Sequence, residues 1–141
     1  AIGHNQFKRM DKLIKIRNIN RKKIINSFLK NSYLKNKIDF YYENKFVNPS
    51  WFGLSIKILI KNFNKKKIIK KLENNGIETR PIISGNFADQ PAAKLYGISS
   101  NQKFPNTDKV YNSSFFIGLT TKQINNNFLK KIVSAFEKSF R

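Results

Sequence analysis

No cysteine occurs among the 141 residues, and a single histidine, His4, stands near the start. The first absence excludes disulfides, thiolate metal sites and a thiol nucleophile. The second leaves too few ligands for a metal cluster. His4 has no serine, cysteine or carboxylate close by in sequence to orient it, so it is expected to be an exposed residue near a helix end rather than a base. Acidic residues are scarce, 8 against 28 lysines and arginines, and their scatter argues against a general acid/base pair. No catalytic residue and no metal site is therefore expected within the chain. Phosphate-binding and nucleophile motifs are also missing: there is no G-x-x-x-x-G-K-S/T, no G-x-G-x-x-G and no G-x-S-x-G. Long apolar runs are absent as well. Trp51 to Ile60 is interrupted by Ser55 and Lys57 and falls short of the ~20 residues of a membrane span. The opening A-I-G-H-N-Q has neither a signal-peptide core nor transit-peptide character, so a soluble, cytoplasmic chain with no membrane partner is expected.

What is present in excess is positive charge, a net +20 with pI near 10.3. Taken alone it suggests a nucleic-acid or anionic-surface partner. The excess is lysine rather than arginine, however, and it comes with an excess of Asn, Ile and Phe, the residues that an AT-rich genome favours. The densest run, Asn64 to Lys71, fits the outer face of a helix whose inner face is Phe63, Ile68, Ile69 and Leu72. Zinc-finger spacing, an R-G-F-x-F strand and heptads are all missing. No nucleic-acid partner is expected.

Periodicity predicts one long helix from about Asn5 to Asn31, with Phe7, Met10, Leu13, Ile14, Ile24, Ile25, Phe28 and Leu29 at three- and four-residue steps. At ~40 Å it is long for a helix inside a small domain. Residues 1–35 are accordingly assigned to a helix left from, or linking to, a larger domain. Residues 36–50 read as a linker with a possible short strand at Ile38 to Tyr42, and 51–141 as a small α/β domain. Within that domain the alternating Trp51 to Ile60 is the best strand. A helix Asn64 to Asn75, a strand Ile77 to Ile83, a short helix Gln90 to Tyr96 and a polar loop 98–103 follow. Asn106 or Thr107 is expected to cap a helix running to Asn112, Phe115 to Leu119 to form a buried strand, and Thr120-Thr121 to cap a last helix with a core stripe Ile124, Phe128, Leu129, Ile132, Val133 and Phe136. The fold class is α/β (α+β), a long helix followed by three strands covered by helices.

Gly76 to Pro91, G-I-E-T-R-P-I-I-S-G-N-F-A-D-Q-P, is the stretch that the rest of the chain is expected to hold. Gly76 suits the left-handed turn after a helix, and Pro81 removes a backbone donor, which argues for an edge strand. Thr79 and Pro81 point opposite to Arg80, so if those two face the core the guanidinium emerges at the rim. Arg80, Asn86 and Gln90 therefore form the candidate substrate-binding set, a cation and two amides suited to an anionic or sugar-like ligand. The structural alternative is that Arg80 pairs with Glu78 or Asp89 and only fixes the loop.

Four blocks, A-I-G-x-x-Q-F-K-R-M-D-K-L-I-K-I-R, N-P-S-W-F-G-L, G-I-E-T-R-P-I-I-S-G-N-F-A-D-Q-P-A and F-P-N-T-D-K-V-Y-N-S-S-F-F-I-G-L, occur in order across most of the chain. Together they resemble the C-terminal part of the DegT/DnrJ/StrS family. The resemblance implies a pyridoxal-phosphate-dependent enzyme, an aminotransferase or 3-dehydratase, acting on nucleotide-linked 4-keto-6-deoxy sugars for cell-surface polysaccharide. It also implies a homodimer and the small C-terminal domain of a fold type I enzyme. The family's Schiff-base lysine, pyridine-pairing acid and phosphate-binding serine would lie upstream of Ala1, so the cofactor would be bound by residues outside this chain and the fragment alone would be inactive. E-T-R-P with S-G-N-F-x-x-Q-P and F-F-I-G resembles most the branch containing the 3-dehydratases, in which histidine replaces the lysine, and His4 does not match that position. Perosamine-type aminotransferases share E-T-R-P but usually carry a histidine where this chain has Gly85-Asn86. Against this stand two other classes, a free-standing basic nucleic-acid-binding module and a structural dimerisation module.

Overall fold

Alternation of apolar and polar side chains makes residues 53–58 a strand with one buried face. In the computed structural model, which describes residues 2–98 and 103–141, Leu54, Ile56 and Ile58 of strand β2 (Gly53–Ile58) are buried while Ser55 and Lys57 are half-exposed. The helix expected at the start is two helices, α1 (Ile2–Phe7) and α2 (Met10–Lys30). The break at Lys8-Arg9 carries no proline or glycine. It comes from a tightened turn in which the Arg9 amide donates to the Gln6 carbonyl at 3.0 Å. Then come β1 (Ile38–Phe40), β2, α3 (Lys65–Asn74), β3 (Thr79–Arg80), a single 3-10 turn (Phe87–Asp89), α4 (Pro91–Leu95), α5 (Pro105–Ser113), β4 (Ser114–Gly118) and α6 (Asn126–Phe140).

The sheet has four strands rather than three, in the order β1-β2-β4-β3 with every pair antiparallel. The additional strand is β1, which falls at the short strand read over 38–42 within the stretch otherwise assigned to linker. It is only three residues long, and its pairing Ile38 with Ile58 and Phe40 with Ile56 supplies the order that its own sequence does not. β3 is much shorter than the expected 77–83. Pro81 has no N–H to extend the ladder, and Ile83 turns the chain with φ 47°. β3 does take the edge position that Pro81 implied.

Directly paired residues share a sheet face. Phe40, Ile56 and Phe115 line up across three strands, as do Leu54, Ile117 and Thr79 across another three. That face is covered by Ile24, Ile25 and Phe28 of α2, Ile68 and Leu72 of α3, and Ile132, Phe136 and Phe140 of α6. Each fully buried phenylalanine here stabilises the fold by about 1.5–3 kcal/mol.

Two helix starts differ from expectation. α5 begins at Pro105, whose fixed φ and missing N–H suit the first helical position, so Asn106 and Thr107 fall inside the first turn. α6 is capped by Asn125, which accepts from the Phe128 amide at 2.9 Å, whereas Thr120 accepts from the Lys122 amide in the preceding turn. Ile124 is buried just before α6, and Phe128 points outward, about half exposed. Asn64, read as the first helical residue, is instead the cap of α3, accepting from the Lys67 amide at 3.0 Å, and Gly76 follows the helix with φ 79° as expected. The polar loop expected over 98–103 lies largely outside the described residues.

Candidate functional site

Across β4, Arg80 pairs with Phe116, and Phe116 pairs with Ser55. These three therefore share the sheet face opposite the helical core. Pro81 is exposed rather than core-facing, and Thr79, half-buried opposite Ile117, alone turns inward at this point. Phe52 closes edge-on against Phe116 at 5.5 Å between ring centroids. A Cβ at Gly53 would come within 2.6 Å of the Phe116 ring, so that ring packs directly against the glycine. The open face thus offers aromatic edges, a hydroxyl and one guanidinium.

The guanidinium is not free. Arg80 Nε and Nη2 both donate to Glu78 Oε1, at 3.1 and 2.7 Å, and both side chains are mostly exposed. An exposed pair two residues apart contributes only about 0 to 1 kcal/mol, so an anionic ligand can replace Glu78 at little cost.

The turn that follows is built from short polar residues. Asn86 is buried, its Oδ1 accepting from the Ala88 amide at 3.2 Å and its Nδ2 donating to Asp108 Oδ1 of α5 at 2.8 Å. Gln90 donates from Nε2 to the Ser84 carbonyl at 3.0 Å and so clasps the loop end to end. Gly85 has φ 66°, and a Cβ there would overlap the Tyr111 ring. Arg80, Asn86 and Gln90 consequently belong to one ordered loop, with Arg80 outermost, Asn86 anchored to α5 and Gln90 bracing the turn. Sequence reasoning missed Asp108 and Tyr111 as the loop's supports. Asp108 reads from sequence only as a favourable charge in a helix's first turn, and nothing local signals a partner 22 residues away.

Beneath Tyr111 lies Lys65, at the start of α3. Its ammonium donates to the Tyr111 carbonyl and sits 5.5 Å from that ring, and partial burial lowers its pKa from 10.5. Among the described residues no group of three His, Cys, Asp or Glu side chains is placed to hold a metal ion, and no helix is long and apolar enough to cross a membrane.

The profile of the DegT/DnrJ/EryC1/StrS aminotransferase family matches residues 1–137. Among curated relatives, GDP-4-keto-6-deoxy-D-mannose 3-dehydratase of Escherichia coli O55:H7 is 29% identical over 84% of this chain and 29% of its own length. Lipopolysaccharide biosynthesis protein RfbH of Salmonella typhimurium is 33% identical over 66% of this chain and 21% of its own. The chain thus spans less than a third of either relative. Among solved structures, the E. coli 3-dehydratase with bound hydrated PLP superimposes with a TM-score of 0.77 at 24% identity, covering 96% of this chain and 33% of that one. An aminotransferase from Psychrobacter cryohalolentis gives 0.78 at 17% identity, covering 98% and 37%. Both share the fold.

Proposed function

The chain belongs to the DegT/DnrJ/EryC1/StrS aminotransferase family, and from that premise we propose that it is the C-terminal part of a pyridoxal-phosphate-dependent enzyme acting on a nucleotide-linked 4-keto-6-deoxy sugar. The observation that carries the reading is coverage: the family profile runs over residues 1–137, while the chain spans only 29% of the E. coli relative. Between the two reactions, 3-dehydration is favoured, because two relatives, at 29% and 28% identity, are named GDP-4-keto-6-deoxy-D-mannose 3-dehydratase. A homodimer working in the cytoplasm is part of the same proposal.

The residues present do not fit the cofactor. Lys65, the lysine whose pKa is lowered, has its ammonium committed to the Tyr111 carbonyl, and burial alone accounts for the shift. Where a lysine and a carboxylate do line one cleft, as Lys22 and Glu43 do, the carboxylate is already paired with Arg21. Pyridoxal phosphate would be held by residues outside the chain. What this chain contributes is substrate binding. Arg80 meets a phosphate or carboxylate by exchanging Glu78 for it, its planar fork of donors remaining charged throughout. Asn86, buried, and Gln90 hold the loop in place, with the Gln90 carbonyl still available to a sugar hydroxyl.

Adding pyridoxal phosphate to the 141-residue chain tests the assignment. The expected result is no absorbance band of an internal aldimine after gel filtration. A band that co-elutes with the chain would place the cofactor site here and overturn the reading.

A further inference from the structure

The buried side-chain polar atoms without a hydrogen-bond partner among the described residues are Arg17 Nε, Asn18 Oδ1 and Arg21 Nε. All three fall within five residues of α2, where the helix changes character. From Asn20 onward its inner side is buried, at Asn20, Arg21, Ile24, Ile25 and Phe28. Before that point it is only partly covered: Leu13, Ile14 and Arg17 are half-buried, Phe7 of α1 is 71% exposed and Met10 42%. Phe7, Met10, Leu13, Ile14, Arg17 and Ser50 line an open groove of about 330 Å³. An apolar groove ending at an unpaired guanidinium nitrogen is half of an interface, because buried polar atoms in folded proteins are nearly always satisfied.

The missing half has a definable charge. Within the chain, Glu43 is used by Arg21, Glu78 by Arg80, Asp108 by Asn86, Glu137 by Asn31, Glu73 by Thr79 and Asp39 by the Phe40 amide. Asp11 lies six residues before Arg17, on another side of the helix, and Asp89 is in the 3-10 turn of the Arg80 loop; neither is among the ion pairs of the described residues. With 8 acidic residues for 28 basic ones, the counter-charge for Arg17 comes from elsewhere. A second copy is a poor source, since each copy carries +20 and the same shortage of acids. The relatives, in contrast, contain a further two-thirds of chain that this one does not span.

We propose that the face made by α1, the first half of α2 and Ser50 receives that further portion of the enzyme, and that the portion seats an apolar segment in the groove and a carboxylate on Arg17. The proposal rests on the functional reading above and names its internal partner.

The test compares Arg17→Gln and Arg17→Glu in two settings. In the 141-residue chain, Arg17→Gln should shift the thermal midpoint by less than about 2 °C, since nothing in the chain is lost. In a chimera carrying residues 1–141 in place of the matching third of the E. coli 3-dehydratase, the same change should lower it by about 5 °C or more, and Arg17→Glu by more still. A chimera that retains pyridoxal phosphate through gel filtration but tolerates Arg17→Glu overturns this proposal and leaves the functional reading standing. A soluble chimera without cofactor overturns the functional reading, and the proposal with it. Should the chimera be insoluble, the chain decides alone. Amides of residues 10–17 should exchange at least about tenfold faster than those of 20–28. Equal protection, a large midpoint loss with Arg17→Gln, or a dimer that Arg17→Glu dissolves would each assign the face to this chain itself and overturn the proposal.

Discussion

Arg80 and Asn86 lie six positions apart on one loop and do different work. Arg80 stands at the surface in an exposed ion pair, so its removal costs the fold little. Asn86 is buried, with both ends of its amide engaged, and its truncation leaves Asp108 and the Ala88 amide short of a partner. In the complete enzyme, Arg80→Ala is expected to raise KM or lower kcat by about tenfold or more, the loss of one charge-assisted contact, while the thermal midpoint stays within about 2 °C. Asn86→Ala should instead lower the midpoint, by about 1–3 kcal/mol of stability, whatever it does to the kinetics. Thermal melts beside steady-state kinetics separate the two. A large midpoint loss with normal kinetics for Arg80→Ala would make that residue part of the scaffold.

At the scale of elements, two adjacent side chains on α2 pin opposite flanks of the sheet domain. Asn20 donates to the carbonyls of Thr120 and Lys122, at 3.0 and 2.8 Å, and accepts from the Ile124 amide at 3.2 Å. Arg21 donates to the Tyr41 carbonyl at 2.7 Å, pairs with Glu43 at 3.2 Å and lies 4.2 Å over the Trp51 ring. The first fixes the turn that launches α6, and the second fixes the connector between β1 and β2. Asn20→Ala would leave three backbone groups without a partner at a fully buried site, a loss of about 2–4 kcal/mol. Chemical denaturation would register it as a lower midpoint at unchanged slope, and a loss below about 0.5 kcal/mol would mean that water replaces the amide. These pins explain which parts of the fold were legible. β2, β4, α3 and α6 carry their own periodicity and could be read directly. β1 gave only a faint signal at 38–42 and is ordered by its pairing with β2, Pro81 marked where β3 ends, and the break at Lys8-Arg9 has no proline or glycine to announce it. The site divides in the same way. Glycine and proline flagged the Arg80 loop, whereas its supports on α5 and the aromatic face around Phe116 appear only once the strands are paired.

For the whole molecule, the dominant physical fact is the imbalance of charge. The net +20 is spread over a small domain with ion pairs at Arg21–Glu43 and Arg80–Glu78 among the described residues. Such a surface repels itself, and the compact state bears more of that repulsion than the expanded chain does. The lysines of α3 sharpen the effect, with Lys65, Lys66, Lys67, Lys70 and Lys71 all inside one helix whose acidic member is Glu73. Screening shortens the reach of these charges from about 30 Å at 0.01 M salt to about 8 Å at physiological strength. Raising sodium chloride between those limits should therefore raise the thermal midpoint of the chain by several degrees, on the order of 1 kcal/mol at a few degrees each. Glutamate substitutions on the outer face of α3, such as Lys66→Glu with Lys70→Glu, should raise the low-salt midpoint and flatten its salt dependence. A midpoint indifferent to salt would mean that the lysines are solvated independently. In that event the charge would carry no cost to the fold, and the acidic groups expected from the rest of the enzyme would have nothing to relieve beyond Arg17.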